Sequence, residues 1–158
     1  MSKDRIKILM IYVGIFMVPC ALVLIMLSND QSAEDKVLGR WQEVSWEYEK
    51  IDKKREVGEE NWDINEQQKY EISQGLVFHE AETWHFLPTG ELELYNQTGL
   101  LSQLEWRIKG HGNILKLEKT DAEVEHYQIQ KLDDNKMEIH FNTDLQVRGI
   151  VKMTFVKV

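Results

Sequence analysis

The sequence has a single cysteine and fewer basic than acidic residues. Cys20 has no second cysteine to pair with, which excludes an intrachain disulfide. Nineteen Lys and Arg stand against 27 Asp and Glu, a formal net charge of −8, which divides into +2 for residues 1–27 and −10 for the rest. Proteins that bind nucleic acid need clustered Lys and Arg to displace counterions from the phosphates. The composition therefore argues against nucleic acid as a partner.

Signatures of catalysis and metal binding are also missing. The sequence contains no serine elbow, catalytic-cysteine motif or phosphate-binding glycine loop. Glu80 with Glu82, and Glu91 with Glu93, are spaced to share a strand face, and we interpret them as solubilising charge rather than acid–base pairs. Five histidines are scattered without the spacing of metal ligands: His79, His85, His111, His126 and His140. The sequence predicts no enzyme, no metal and no cofactor.

One long apolar run is present near the N-terminus. Residues 8–27 carry no charge, and as a helix they span about 30 Å, the thickness of a hydrocarbon core. Lys3, Arg5 and Lys7 precede the run and acidic residues follow it, so the positive-inside rule keeps residues 1–7 in the cytoplasm. We predict a single-pass anchor in the cell membrane, with an extracytoplasmic C-terminal domain.

A cleaved signal peptide is the alternative interpretation of residues 8–27. Such a peptide has a shorter apolar region, followed by small residues that this sequence matches poorly. A lipoprotein is not indicated, because seven more apolar residues follow Cys20. Residues 28–36 are short and polar, typical of a tether, and residues 37–158 are long enough for a single core.

Residues 37–158 carry the alternating pattern of β-strands. In the first run Val44, Trp46 and Tyr48 alternate with polar residues, and Trp41 is out of step with them, which predicts a bulge between residues 41 and 44. Leu76, Phe78, Trp84 and Phe86 share one parity in the next run, before a turn at residues 87–90. The remaining runs place the following residues inward: Leu92, Leu94, Leu104, Trp106, Ile108, Leu115, Leu117, Tyr127, Ile129, Met137, Ile139, Phe141, Val151, Met153 and Phe155. About eight short strands predict an all-β, antiparallel up-and-down barrel, because closure removes the exposed edges.

The start of this region carries a family resemblance. Gly39-Arg40-Trp41 before an alternating run, followed by an aromatic strand and a Pro-Gly turn, resembles the opening of lipocalin-like domains, particularly the short bacterial ones. The resemblance covers residues 37–158 as a pattern of strands. It implies that Trp41 closes one barrel end beneath a basic side chain from a late strand, for which Arg148 is the nearest candidate.

The inward residues include many aromatic side chains. Seven of them are candidate ligand-binding residues: Trp46, Tyr48, Trp84, Phe86, Trp106, Tyr127 and Phe141. They have two interpretations, a filled core and an apolar pocket. The interior of an eight-stranded barrel is only just wider than its own side chains, which favours the filled core.

Residues 49–75 interrupt the β pattern between the first two long runs. Their first half is charged, and residues 64–72 predict two or three helical turns. We interpret the stretch as a solvated connection. The alternative is a lid over a barrel mouth, with Ile64, Trp62 and Tyr70 able to dock on it.

Two functions from different classes follow. The first is a membrane-anchored extracytoplasmic lipocalin-like module that binds a small hydrophobic ligand or lipid. The second is a ligand-free barrel that serves as a protein-interaction or envelope-assembly module. They differ in whether the barrel admits a ligand.

Overall fold

The computed structural model describes residues 17–19, 32–50, 62–120, 123–143 and 149–158. The chain forms two compact units, Met1–Ser32 and Ala33–Val158. In the first unit residues 17–19 are helical, and the rest of the predicted anchor lies outside the described residues. Within the described ranges, no helix combines the length and the apolar character that a membrane crossing requires.

The second unit is built mainly of strands. Its described residues include two short helices, α1 (Ala33–Val37) and α2 (Glu66–Ser73). Its strands are β1 (Gly39–Lys50), β2 (Trp62–Asp63), β3 (Thr83–Phe86), β4 (Glu91–Asn96), β5 (Gly99–Lys109), β6 (Ile114–Thr120), β7 (Glu123–Leu132), β8 (Lys136–Thr143) and β9 (Gly149–Lys157). The helix predicted at residues 64–72 is confirmed as α2.

Eight of the strands form a closed antiparallel barrel. From β3 to β9 each strand pairs with the next along the chain, and β1 pairs with both β3 and β9. The two-residue β2 pairs only with the distal part of β1, at Glu47 and Tyr48. The predicted all-β barrel of eight antiparallel strands is confirmed, and its closure leaves none of the eight strands as a free edge.

The predicted bulge in β1 is present, but one position later than the sequence indicated. The pairing of β1 with β9 shifts between Glu43 and Ser45, which makes Val44 the extra residue. The prediction that Val44 points inward with Trp46 was therefore wrong, and its side chain is exposed. The bulge instead places Trp41 and Glu43 on the inner side before it, and Trp46 after it.

The second predicted run contains much less strand than expected. Strand β3 begins only at Thr83, and residues 74–80 form consecutive turns, so the prediction that Leu76 belongs to a strand was wrong. The turns satisfy their backbone groups locally, with the N–H of His79 bonded to the carbonyl of Leu76 at 3.1 Å. Glu80 ends them in the left-handed region, at φ 65°. Residues 74–80 are hereafter the plug segment.

One end of the barrel, the α1 end, is closed around Trp41. Its indole N–H donates to the carbonyl of Val37 at 2.6 Å, and both side chains are fully buried. The ammonium of Lys157 lies 5.1 Å from the centre of the Trp41 ring and donates to the carbonyl of Lys36 at 3.0 Å. A basic residue of the last strand thus covers Trp41, in the role predicted for Arg148. Arg148 itself lies outside the described residues.

Candidate functional site

The predicted aromatic residues separate into two groups inside the barrel. Trp46, Trp84 and Tyr127 are buried and Phe141 is half-buried, and all four surround one point near the end covered by α2, the α2 end. Phe86 and Trp106 contact each other with ring centres 5.4 Å apart, and the Trp106 indole N–H donates to the carbonyl of Leu87 at 3.2 Å.

The point that the first group surrounds is occupied by Phe78. The centre of its ring lies 5.0 Å from that of Trp84 and 5.5 Å from that of Tyr127. The rings of Trp46 and Phe141 follow at 6.0 and 6.2 Å. Phe78 is only 1% exposed, yet it belongs to the plug segment and not to a strand. A connection therefore supplies the side chain that fills the space between the strands at this end.

Tyr48 has a separate environment on the distal part of β1. It is half-buried, and its ring lies directly over Gly149 at the start of β9. A Cβ atom on Gly149 would overlap the ring, so the lack of a side chain there is required by Tyr48. Tyr48 and Gly149 thus form a local pair between the two strands.

Helix α2 is fastened both to the barrel and to the plug segment. It starts with a capping box, in which Asn65 and Gln68 each accept the backbone N–H of the other, at 2.9 and 3.1 Å. Ser73, in its last turn, is hydrogen-bonded to Nδ1 of His79 at 2.9 Å. Lys69, in the middle of the helix, reaches the carboxylate of Glu43 on β1. In this part of the connection residues 65–68, 70 and 71 are exposed, as expected of a solvated connection, whereas Ile64 and Ile72 pack against the core.

Glu43 is a buried carboxylate at the base of this contact. Its side chain is 9% exposed, and burial raises its pKa in spite of the opposing effects of Lys69 and the Trp46 indole. Trp46 is close enough to lower that pKa, but the two side chains do not reach hydrogen-bond geometry. Oε2 of Glu43 and Nε1 of Trp46 are buried without a hydrogen-bond partner among the described residues, as is Nε1 of Trp84. Unpaired polar atoms of this kind are uncommon inside proteins.

A second carboxylate, Glu125 on β7, holds the plug segment directly. Both of its oxygens accept the backbone N–H of Val77 at 3.2 Å, and one also accepts the hydroxyl of Tyr127. Burial raises the pKa of Glu125, and burial with the nearby Glu125 charge raises that of Tyr127. The residue before Phe78 is therefore fixed by a carboxylate of the barrel wall.

Clefts lie on both sides of the plug segment. One, of about 380 Å³, is lined by residues of α2, by His79 and Glu80, and by the β4–β5 turn. The other, of about 440 Å³, is lined by residues 74–77 and by the facing ends of β6 and β7. The segment is thus anchored by the buried Phe78, by the half-buried Leu76 and Val77 that pack against the core, and by a few polar contacts, with open space to either side.

Comparison with known proteins gives no relative. The chain matches no protein-family profile, no curated protein and no solved structure. The geometry of the barrel is compatible with the lipocalin-like resemblance of Gly39-Arg40-Trp41, and function has to be argued from the site itself.

Sequence reasoning missed the polar residues of this end. Glu43 shares the parity of Trp41 and Glu125 that of Tyr127, so alternation alone points both carboxylates toward the interior. Lys69 had no comparable signal, because its partner is 26 residues away in the chain. Within the described part of the chain no group of three or more His, Cys, Asp or Glu residues is arranged to hold a metal ion. The α2 end of the barrel thus combines a cluster of aromatic rings with the carboxylates of Glu43 and Glu125.

Proposed function

We propose that this protein is a membrane-anchored extracytoplasmic lipocalin-like module that binds a small hydrophobic ligand at the α2 end of its barrel. The ligand takes the place that Phe78 occupies in the structure. The main observation behind the proposal is that Phe78 belongs to a connection and not to a strand. Its ring nevertheless lies at the centre of four candidate ligand-binding residues.

The attachments of the plug segment support its withdrawal as a unit. No residue of 74–80 is part of the strand ladder, so its departure breaks no β-pairing of the barrel. The flanking clefts leave space for the segment to move into. Connections of this kind serve as lids in many binding proteins.

The proposed membrane location rests on the sequence. The uncharged run at residues 8–27 and the basic residues before it are the features that support a single-pass anchor with the barrel outside the cytoplasm. Protease added outside intact cells is expected to remove the barrel from the full-length protein and leave the anchor in the membrane fraction. Recovery of a soluble protein starting after residue 27 would instead identify a cleaved signal peptide.

The second candidate function is a ligand-free barrel in a protein-interaction or envelope-assembly role. The observation that favours it is the complete burial of Phe78, which fills the space that a ligand would need. The two functions differ in one respect that can be measured. A ligand-binding barrel exchanges Phe78 for an apolar guest, whereas a filled barrel does not.

The test is a fluorescence titration of the full-length protein in detergent with the neutral dye prodan. Wild type is expected to bind slowly, since the plug segment must leave, and Phe78→Ala is expected to bind at least tenfold tighter. Phe155→Ala is the matched control, because Phe155 is also fully buried but belongs to β9. Any large cavity in a core can admit an apolar molecule, so the control measures this general effect.

The outcomes separate the two functions. Wild-type binding, with a much larger gain from Phe78→Ala than from Phe155→Ala, supports the ligand-binding barrel. No binding by wild type, together with equal binding by the two variants, supports the filled barrel.

A further inference from the structure

The connection between β1 and β3 places two chemically different groups into the α2 end of the barrel. Phe78 contributes an aromatic ring, and Lys69 contributes an ammonium group. The centre of the Trp46 ring lies 6.0 Å from that of Phe78 and 5.7 Å from the Lys69 nitrogen. One indole of the barrel wall therefore contacts both groups.

The two groups are mechanically connected. Lys69 lies in α2, which is joined to the plug segment through the hydrogen bond between Ser73 and His79 and through the edge-to-face contact of the Tyr70 and His79 rings, whose centres are 4.9 Å apart. A displacement that withdraws Phe78 therefore also pulls on Lys69. The carboxylate of Glu43 and the Trp46 ring would then lose their cationic partner together.

A buried carboxylate without a cationic partner is energetically unfavourable, which limits the kinds of ligand that can replace Lys69 and Phe78. Glu43 already has one oxygen without a hydrogen-bond partner while Lys69 is in place. Once Lys69 leaves, Glu43 either takes up a proton or pairs with another cationic donor, and only the cationic donor keeps the carboxylate charged. A cation over an indole face is stabilised further by the ring.

We propose that the ligand is an amine with a compact apolar body, whose ammonium group pairs with Glu43 and lies against Trp46 while its body takes the place of Phe78. This inference rests on the proposed ligand-binding function and adds the class of ligand. In the structure the ammonium group of Lys69 and the ring of Phe78 occupy the positions that the ammonium group and the apolar body of the ligand would take.

The charges of this end disfavour the opposite class of ligand. Glu43 and Glu125 both face the region around the plug segment, Glu43 largely buried and Glu125 half-buried. A fatty acid or another anionic amphiphile would bring a third carboxylate close to them, which is repulsive in a medium of low polarity. Neutral apolar molecules would fill the place of Phe78 but would leave Glu43 unpaired.

The test compares 2-phenylethylamine with 2-phenylethanol, which has the same apolar body but no charge at neutral pH. Isothermal titration of the full-length protein in detergent measures both. Wild type is expected to bind the amine at least tenfold more tightly than the alcohol. Lys69→Met keeps an apolar chain of similar length but removes the internal ammonium, so amine affinity is expected to rise at least another tenfold.

Glu43→Gln is the decisive variant. It is expected to abolish the preference for the amine, so that 2-phenylethylamine and 2-phenylethanol bind with affinities within about twofold of each other, because no buried charge is left for the ammonium group to pair with. Thermal melting of each variant checks that the barrel is folded, and Lys69→Met serves as the second variant if Glu43→Gln does not fold.

The results distinguish failure of this inference from failure of the proposed function. Binding of both compounds with no preference, unchanged in Lys69→Met, overturns the amine inference and retains an apolar ligand site. Absence of binding by either compound and by prodan overturns both.

Discussion

Individual residues close the α1 end of the barrel, and Trp41 is the most important of them. Its structural role was predicted from the resemblance of Gly39-Arg40-Trp41 to the opening of lipocalin-like domains, which implies that the indole closes one barrel end. Gly39 indeed has a φ of 109°, where a side chain would be strained and would crowd Cε of Lys157 at 3.0 Å. Arg148 was the predicted covering cation, whereas the structure places Lys157 over the ring, because the basic side chain that reaches the indole depends on the register of β9 with β1, which alternation does not give.

Replacement of Trp41 by alanine is the first prediction. Trp41 is fully buried, so Trp41→Ala is expected to cost about 3–5 kcal/mol of unfolding free energy. Lys157→Met removes the cation over the ring but keeps most of the packing, and a loss of about 1 kcal/mol is expected from it. Urea unfolding measures both values. Similar losses in the two variants would show that the indole is not a major part of the core.

Gly149 provides the second prediction, because its role depends on one neighbour. Gly149→Ala is expected to destabilise the barrel by about 1–3 kcal/mol, since the new methyl group overlaps the Tyr48 ring. Tyr48→Ser in the same chain removes the overlap, so the double variant is expected to be more stable than the sum of the single losses predicts. Strict additivity in thermal melts would refute a direct contact between these positions.

Glu43 gives the third prediction, which concerns pH. Burial raises its folded-state pKa above the usual value of 4.5, so its protonated form favours folding. That contribution is complete below about pH 4.5 and is lost as the pH rises through the folded-state pKa. Glu43→Gln, which cannot ionise, is therefore expected to gain stability relative to wild type as the pH rises above 4.5.

Glu93 is the matched control for that experiment. Hydrogen bonds from Tyr95 and then His85 lower the pKa of Glu93, so its contribution is present above about pH 4.5 and is lost as the pH falls through the folded-state value. Glu93→Gln is expected to lose stability relative to wild type above pH 4.5. Melting temperatures from about pH 3 to about pH 8 check both signs, and the same sign in the two variants would contradict the assignment.

At the scale of secondary structure, the strands followed from the sequence more closely than the connection did. Alternation located β4 to β9, because each has one buried and one solvated face. It failed at residues 74–80, where Phe78 has the parity of a strand residue but is held by local turns. Alternation reports which side chains are buried, and a side chain inserted from a connection produces the same signal as one from a strand.

The capping box of α2 gives the fourth prediction. Asn65→Ala is expected to cost about 1 kcal/mol of helix stability, because it leaves the N–H of Gln68 without its acceptor. If α2 controls access to the barrel, prodan is expected to associate several-fold faster with this variant while the melting of the barrel changes little.

A similar cap elsewhere serves as the control for the fourth prediction. Asp133 accepts the N–H of Asn135 at 3.0 Å in the β7–β8 turn, and the Asn135 carbonyl accepts the N–H of Lys157 at the α1 end, so Asp133→Ala removes a comparable hydrogen bond away from α2. Stopped-flow fluorescence compares the two variants. Equal acceleration by both would indicate general loosening and not access through α2.

For the whole molecule, the sequence was sufficient to predict a closed barrel but not the state of its interior. Closure follows from the number and regularity of the strands, and it is visible in the pairing of β1 with β9. What fills the interior of the barrel depends on contacts between residues far apart in the chain, such as Lys69 with Glu43 and Val77 with Glu125. No local pattern encodes those distances, so only the three-dimensional arrangement shows that the barrel contains part of its own connection.

Hydrogen exchange of the full-length protein with and without prodan tests the central claim most directly. The claim is that an apolar guest enters by displacing the plug segment. Saturation with prodan is expected to speed exchange at residues 74–80, and above all at the amide of Val77 that Glu125 holds. Exchange in β1, β7 and β8 is expected to slow or stay unchanged. Bound prodan with an unaltered, protected Val77 amide would contradict the account, because the guest would then lie somewhere other than the place of Phe78.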